Sequence, residues 1–225
     1  MKELPFDPYD FFGYIASGLV IVVLLQITLG FPKVIGAELK PFDIAVTVLG
    51  VYIAGQIIAG PAKFALEDFF VHWLLGNPTK NLLRANTPKF GKWVFPGFYK
   101  PLPASIRARI AAKVNSMGLP EHDSEGLFLR VRFSPEILCN EALMGRINKF
   151  RDLFGFSRNV SFSLIIAALC LFGAGRIKGD LSLIHYGLIA LIAGVLLLYR
   201  FLKFYRLYSY ELLNTFACMG EKGKE

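Results

Sequence analysis

Four stretches of this chain contain no Asp, Glu, Lys or Arg, and they constrain its fold more than any other feature. Phe11 to Pro32 is 22 residues long, Ile44 to Ala62 is 19, Asn159 to Gly175 is 17 and Leu181 to Tyr199 is 19. A helix climbs about 1.5 Å per residue and the hydrocarbon core of a bilayer is about 30 Å thick, so roughly 17–25 apolar residues span it. All four stretches meet that length. Their flanks are charged: Asp10 and Lys33, Asp43 and Lys63, Arg158 and Arg176, Asp180 and Arg200. Composition agrees. Hydrophobic residues make up 54% of the chain and mean hydropathy is +0.48, against about 45–50% apolar residues in soluble domains. One soluble core of this length could not bury so much apolar surface. The 21 Phe and nine Tyr exclude a disordered chain. Three Cys without paired spacing exclude a disulfide scaffold and a C-x-x-C zinc site. The leader MKELPFDPYD is more acidic than basic, so the first stretch reads as a membrane anchor and not as a cleaved signal.

Lys and Arg set the expected orientation. Residues 63–158 hold 15 of them, the tail from Arg200 holds five and Lys2 adds one, whereas the two short loops hold only Lys33, Lys40, Arg176 and Lys178. Basic residues next to spans stay in the cytoplasm. The expected architecture is therefore an all-α membrane protein with four transmembrane helices arranged as two hairpins, both termini cytoplasmic. Residues 1–62 form the first hairpin (spans 11–32 and 44–62), and 63–158 a small, basic, mainly helical cytoplasmic domain. Residues 159–199 form the second hairpin (spans 159–175 and 181–199), and 200–225 a cytoplasmic helical extension and tail. The net charge of +8 falls on the face that meets anionic headgroups, so membrane lipids are the first expected partner. Nucleic acid is disfavoured because no nucleic-acid-binding motif accompanies the charge.

Within 63–158, apolar residues continue past Lys63 to Leu75, and Gly76-Asn77-Pro78 ends that helix. Pro88, Pro96, Pro101 and Pro103, interleaved with Trp93, Phe95, Phe98 and Tyr99, read as a loop on the membrane surface. Ala104 to Ser116 reads as a helix with Ile106, Ile110 and Val114 on one face. Leu127 to Phe133 alternates like a short strand. Ser134-Pro135 reads as a helix start. From there an apolar stripe of Leu143, Ile147, Phe150 and Phe154 leads through a possible kink at Gly155 into the third span.

Several strings occur together: Phe6-Asp-Pro-Tyr-Asp-Phe-Phe-Gly-Tyr, Leu74-Leu-Gly-Asn-Pro, Leu127-Phe-Leu-Arg-Val, Phe154-Gly-Phe-Ser-Arg-Asn and Tyr199-Arg-Phe-Leu-Lys-Phe-Tyr. In these the chain resembles uncharacterised small bacterial membrane proteins with two hairpins around a cytoplasmic insert. The resemblance implies an inner-membrane location. It implies no activity, and no catalytic residue is carried over from it.

Candidate chemistry is sparse. Asp68 and His72 are four apart, so on an α-helix the carboxylate could hold the imidazole and give an acid/base pair facing lipid. The plainer reading is the polar face of an interfacial helix, since no nucleophile lies nearby. Glu121, His122, Asp123 and Glu125 could ligate a metal, but a polar stretch bracketed by Pro120 and Gly126 reads first as a solvated loop. No P-loop, G-x-S-x-G, H-E-x-x-H or G-x-G-x-x-G string is present. No catalytic residue, metal site or cofactor is expected.

Ionised side chains are absent from the spans, which disfavours an ion-coupled transporter. Gln26, Thr28, Thr47, Gln56, Ser161 and Ser163 remain, as a pore lining or as hydrogen-bonding groups between helices; the second is preferred. Gly50/Ala54 and Gly55/Ala59 on the second span, and Gly187, Ala190 and Gly194 on the fourth, mark helix-packing faces. Arg200, Lys203 and Arg206 form a basic collar expected to contact anionic lipid. The expectation is a non-enzymatic scaffold or sensor, homo-oligomeric, coupling the bilayer to a cytoplasmic protein partner. An oligomeric pore or a lipid-directed enzyme are the alternatives.

Overall fold

The computed structural model describes residues 8–30, 40–84, 93, 95–116 and 124–218. Among them the chain is helical, with no strand. α1 (Pro8–Leu29) and α2 (Pro41–Ala62) are followed by a π-helix (Lys63–Leu75), α3 (Pro78–Leu83), α4 (Ala104–Ser116), α5 (Ser124–Arg132) and α6 (Pro135–Leu138). Two helices of 38 residues, α7 (Glu141–Lys178) and α8 (Leu181–Cys218), complete it. Four helical stretches are long and apolar enough to cross a membrane, and apart from Gly30 they contain the four charge-free segments wherever these are described. The chain divides into two compact units, residues 1–70 with 152–201 and residues 71–151 with 202–225.

In the first unit, α1 and α2 run antiparallel at backbone contact. A Cβ on Gly18 would lie 2.7 Å from the Gly55 amide nitrogen and closer still to the Val51 carbonyl oxygen. A Cβ on Gly55 would lie 2.8 Å from Tyr14 Cα, against the Tyr14 carbonyl. Only hydrogen fits at either place, and such close approach is how helices gain packing energy where lipid removes the hydrophobic drive. α7 and α8 are also antiparallel: Gly175 lies against Ile184, Gly187 against Phe172 and Gly194 against Ile165. Between them Gly179 adopts φ +64° and the Asp180 amide returns to the Gly175 carbonyl at 3.0 Å, which closes the end of α7. Leu24, Ala167, Leu171 and Leu183 form a small buried cluster. Outside it, Ile57, Ile189 and Leu196 are each more than 60% exposed. A soluble surface rarely carries such apolar area, whereas acyl chains cover it at no cost.

Winding changes after Pro61. That residue has no N–H to return to the Ile57 carbonyl and its ring crowds that oxygen. Two residues on, the i→i+5 winding of the π-helix begins, and it persists to Leu75. Gly76 at φ +82° turns the chain. Helix ends leave carbonyls unpaired; here Tyr99 Oη donates to the Leu75 carbonyl at 3.1 Å and Asn81 Nδ2 to that of Gly76 at 3.2 Å. Asn77 Oδ1 then accepts from the Thr79 amide at 3.0 Å, starting α3 with Pro78 in its first turn.

The second unit corrects two expectations. Leu127 to Phe133 is not a strand. Leu127 and Val131 are buried, whereas Leu129 and Phe133 are exposed, so i, i+4 spacing prevails over alternation. Glu125 in the first turn and Arg130 and Arg132 in the last suit the helix dipole. Phe98 and Tyr99 are not surface anchors but core, 3% and 4% exposed, while Trp93 is exposed. A helix does start at Pro135, with the Ser134 carbonyl accepting from the Leu138 amide at 3.1 Å, but the Ser134 hydroxyl takes no part in the cap and is buried without a partner. α6 ends at Leu138, and a second start follows at Asn140, whose Oδ1 accepts from the Leu143 amide at 3.1 Å. From there α7 continues through Gly155.

Replacing Gly18 or Gly55 by Ala should force α1 and α2 apart. The expected loss is about 1–3 kcal/mol, or a Tm lower by roughly 2–12 °C, in detergent. Gly50→Ala, facing open space, should leave Tm unchanged.

Candidate functional site

Most polar side chains in the apolar helices are used locally. Ser161 Oγ donates to the Gly194 carbonyl at 2.7 Å, joining α7 to α8. Thr28 Oγ1 donates to the Leu24 carbonyl at 2.7 Å and Ser17 Oγ to the Gly13 carbonyl at 2.9 Å. Ser163 Oγ is buried without a partner, and Gln56 Nε2 donates to Tyr52 Oη at 2.9 Å on the exposed side of α2. Among the small residues singled out in the sequence, Gly55, Gly187 and Gly194 lie at close helix contacts, Ala54, Ala59 and Ala190 are half-buried, and Gly50 is exposed. Gly18, the partner of Gly55, escaped the sequence reading because no second small residue stands three or four positions from it on an obvious stripe.

At the charged edge of the first unit, Arg158 Nη1 is ion-paired with Glu67 Oε2, and their side chains are only 13% and 14% exposed. Arg158 Nε also donates to Asn159 Oδ1 at 3.1 Å. These are the residues that flank the third charge-free stretch and follow the second. The pairing spans 91 positions and is visible only in the fold.

Asp68 and His72 were paired on the premise of an α-helix, but they lie in the π-helix, where residues four apart do not stack as they do on an α-helix. Asp68, exposed, belongs to the first unit. His72 belongs to the second, where Nε2 lies 2.8 Å from Tyr205 Oη. Burial pushes the Tyr99 phenol above its usual range, which keeps it protonated as its hydrogen bond to Leu75 requires. Glu121, His122 and Asp123 lie outside the described residues, and Glu125 is exposed at the start of α5. Among the described residues no three His, Cys, Asp or Glu side chains come together to hold a metal.

In the second unit, α4 and the residues before it run along the C-terminal part of α8 through two basic side chains. Arg206 Nη2 donates to the Lys100 carbonyl at 2.8 Å, and Lys113 Nζ to the Phe216 carbonyl at 2.6 Å. Both contacts advance along the chain together, so the two segments are parallel. Arg206 also stacks on Tyr210 at 5.8 Å, and Lys113 on Phe216 at 5.1 Å. Arg107 shares the inward face of α4 with buried Ile110 and Val114, at i, i+3, i+7. Its Nε is buried without an acceptor, as are Arg206 Nε and the Ser209 hydroxyl. The nearby carboxylate of Glu211 is engaged by Arg146 at 2.7 Å. The result is a half-buried set of donors suited to an acceptor-rich group such as a carboxylate or phosphate. The sequence reading named only Ile106, Ile110 and Val114 on that face; the i, i+3, i+7 spacing of Arg107 with Ile110 and Val114 was the available signal. In the collar, Arg200 and Lys203 are exposed, whereas Arg206 is engaged with protein.

The fold is thus that of an all-helical chain with four helices able to cross a membrane. Compared with profiles of protein families, with curated proteins and with solved structures, it matches none.

Removing one partner of a nearly buried ion pair strands the other charge. Glu67→Gln or Arg158→Met should each destabilise the detergent-solubilised protein by about 3–5 kcal/mol. The double variant Glu67→Leu with Arg158→Met should recover most of that loss in thermal unfolding.

Proposed function

We propose that the chain is a non-enzymatic, multi-pass protein of a bacterial inner membrane, a scaffold or sensor that couples the bilayer to a cytoplasmic partner. In this reading α1–α2 and α7–α8 are two transmembrane hairpins, both termini are cytoplasmic, and the protein works as a homo-oligomer. The second unit is the cytoplasmic domain.

One observation carries the proposal. The π-helix, α7 and α8 each continue from residues of the first unit into residues of the second. A helix transmits rotation or tilt along its length because its hydrogen bonds resist local bending. Changes of bilayer thickness or charge acting on three such helices would reach the cation set of Arg107, Lys113 and Arg206, where an acidic or phosphorylated partner surface would find donors. The bond between Ser161 and Gly194 favours polar span residues as links between helices over a pore lining.

Native cysteines offer a direct test. Cys139 and Cys218 are exposed and belong to the second unit. With Cys170→Ser, spin labels on both should report a label-to-label distance that shifts between thin and thick, or neutral and anionic, nanodiscs. An identical distance in all bilayers rules out coupling. Reconstituted protein should also pass no ions across liposomes.

Arg200→Gln combined with Lys203→Gln should weaken retention of anionic lipid, by about 1 kcal/mol per charge. It should also expose a C-terminal tag to external protease in a fraction of spheroplasts. Unchanged lipid content and tag protection would show that the collar contacts protein.

A further inference from the structure

We infer that the outward face of α2 is the contact surface for a second copy of this chain, joined by Tyr52 and Gln56 of each copy at the same depth in the bilayer. The inference rests on α2 crossing the membrane, as proposed above, and it identifies which surface makes the oligomer.

α2 is the least covered of the four apolar helices. Of its most apolar stretch 11% is buried, against 39% in α7. Its inner face is already occupied by α1 through Gly18 and Gly55. Beside that contact, on the flank of α2 where Phe11 of α1 reaches it, lies an open, apolar groove of about 500 Å³ lined by Phe11, Ala45, Val48, Leu49 and Tyr52. Ala45, Val48, Leu49, Tyr52 and Gln56 follow one another at helical spacing, so Gln56 continues the groove one turn past Tyr52, just beyond the middle of the 44–62 stretch. Phe11 and Tyr14 hold the Tyr52 ring at centroid distances of 5.5 Å and 5.8 Å, which fixes where its hydroxyl lies.

Chemistry identifies the occupant. Gln56 Nε2 donates to Tyr52 Oη, and this is the one hydrogen bond either side chain makes among the described residues. An amide can donate twice and accept twice, and a phenol can donate once as well as accept. Gln56 Oε1 and the Tyr52 hydroxyl proton are therefore an acceptor and a donor without partners, exposed at hydrocarbon depth. Acyl chains satisfy neither. A second copy satisfies both. Two chains inserted in the same direction bring equal depths together about an axis along the membrane normal. A two-fold contact then sets each patch against itself, so that Tyr52 of one copy can donate to Gln56 of the other, and the reverse. Gly50, with open space where its Cβ would be, adds no obstacle beside the patch.

The test uses the full chain in native membranes, with Cys139, Cys170 and Cys218 replaced by Ser. Single cysteines replace Leu49, Ile53 or Gln56 on α2, or Ile189 on the exposed face of α8 as a control. Oxidation should give disulfide-linked dimers at one or more of the α2 positions and none at 189. In parallel, energy transfer between labelled copies in nanodiscs should show about tenfold weaker association for Gln56→Leu, the effect expected of interhelical hydrogen bonds in lipid. Gln56→Asn, which keeps the amide, should retain most of it. No dimer at any α2 position, dimers equally abundant at 189, or full association of Gln56→Leu would each overturn the inference. A water-soluble maleimide separates the two readings: Gln56→Cys should resist it. If that site is shielded and no α2 position forms a dimer, lipid covers the face and only the dimer fails. If it is labelled, α2 does not lie in the bilayer and the membrane reading fails with it.

Discussion

A hydrocarbon layer offers no hydrogen bond, and the first unit is organised by that constraint. Backbone amides left unpaired in lipid are too costly to keep, so helices that satisfy themselves are the available solution for short apolar stretches. The same constraint governs the side chains. Ser17 and Thr28 return to carbonyls of their own helix, and Ser161 reaches the Gly194 carbonyl of α8. With burial of apolar area no longer driving association, contact quality decides which helices meet. The Gly18 and Gly55 backbones supply that quality for α1 and α2.

Where the apolar stretches end, the rules change over a few residues. Glu67 and Arg158 are ionised groups shielded from solvent, and each is tolerable there only because the other is present. Just before Glu67, Pro61 removes one hydrogen bond and the chain continues in a wider winding instead of breaking. The wide turn ends at Gly76, with Tyr99 and Asn81 taking up the carbonyls it leaves.

The second unit has an ordinary apolar core, with Leu82, Ile137, Leu212 and Leu213 fully enclosed. What sets it apart is the cationic edge along α4 and α8. Lys113 and Arg206 each donate to a backbone carbonyl and lie over an aromatic ring. Beside them the Nε donors of Arg107 and Arg206 are buried without an acceptor.

The four stretches able to span a membrane were legible in the sequence because they depend on local quantities: the length of a charge-free run and the cost of charge in hydrocarbon. The end of the long helix at Gly76 was legible for the same reason, since proline and glycine act on their own backbone. Pairings were not. Nothing near Glu67 in the chain indicates Arg158, and nothing near Gly18 indicates Gly55. The segment Leu127 to Phe133 fits both a strand and a helix, and only the burial of Leu127 and Val131 on one side chose between them. Arg107 reads as a solvated charge in the sequence, whereas its Nε is buried in the fold. Tertiary structure decided these cases because each depends on what lies across the fold from the residue, and a one-dimensional pattern records only what lies beside it.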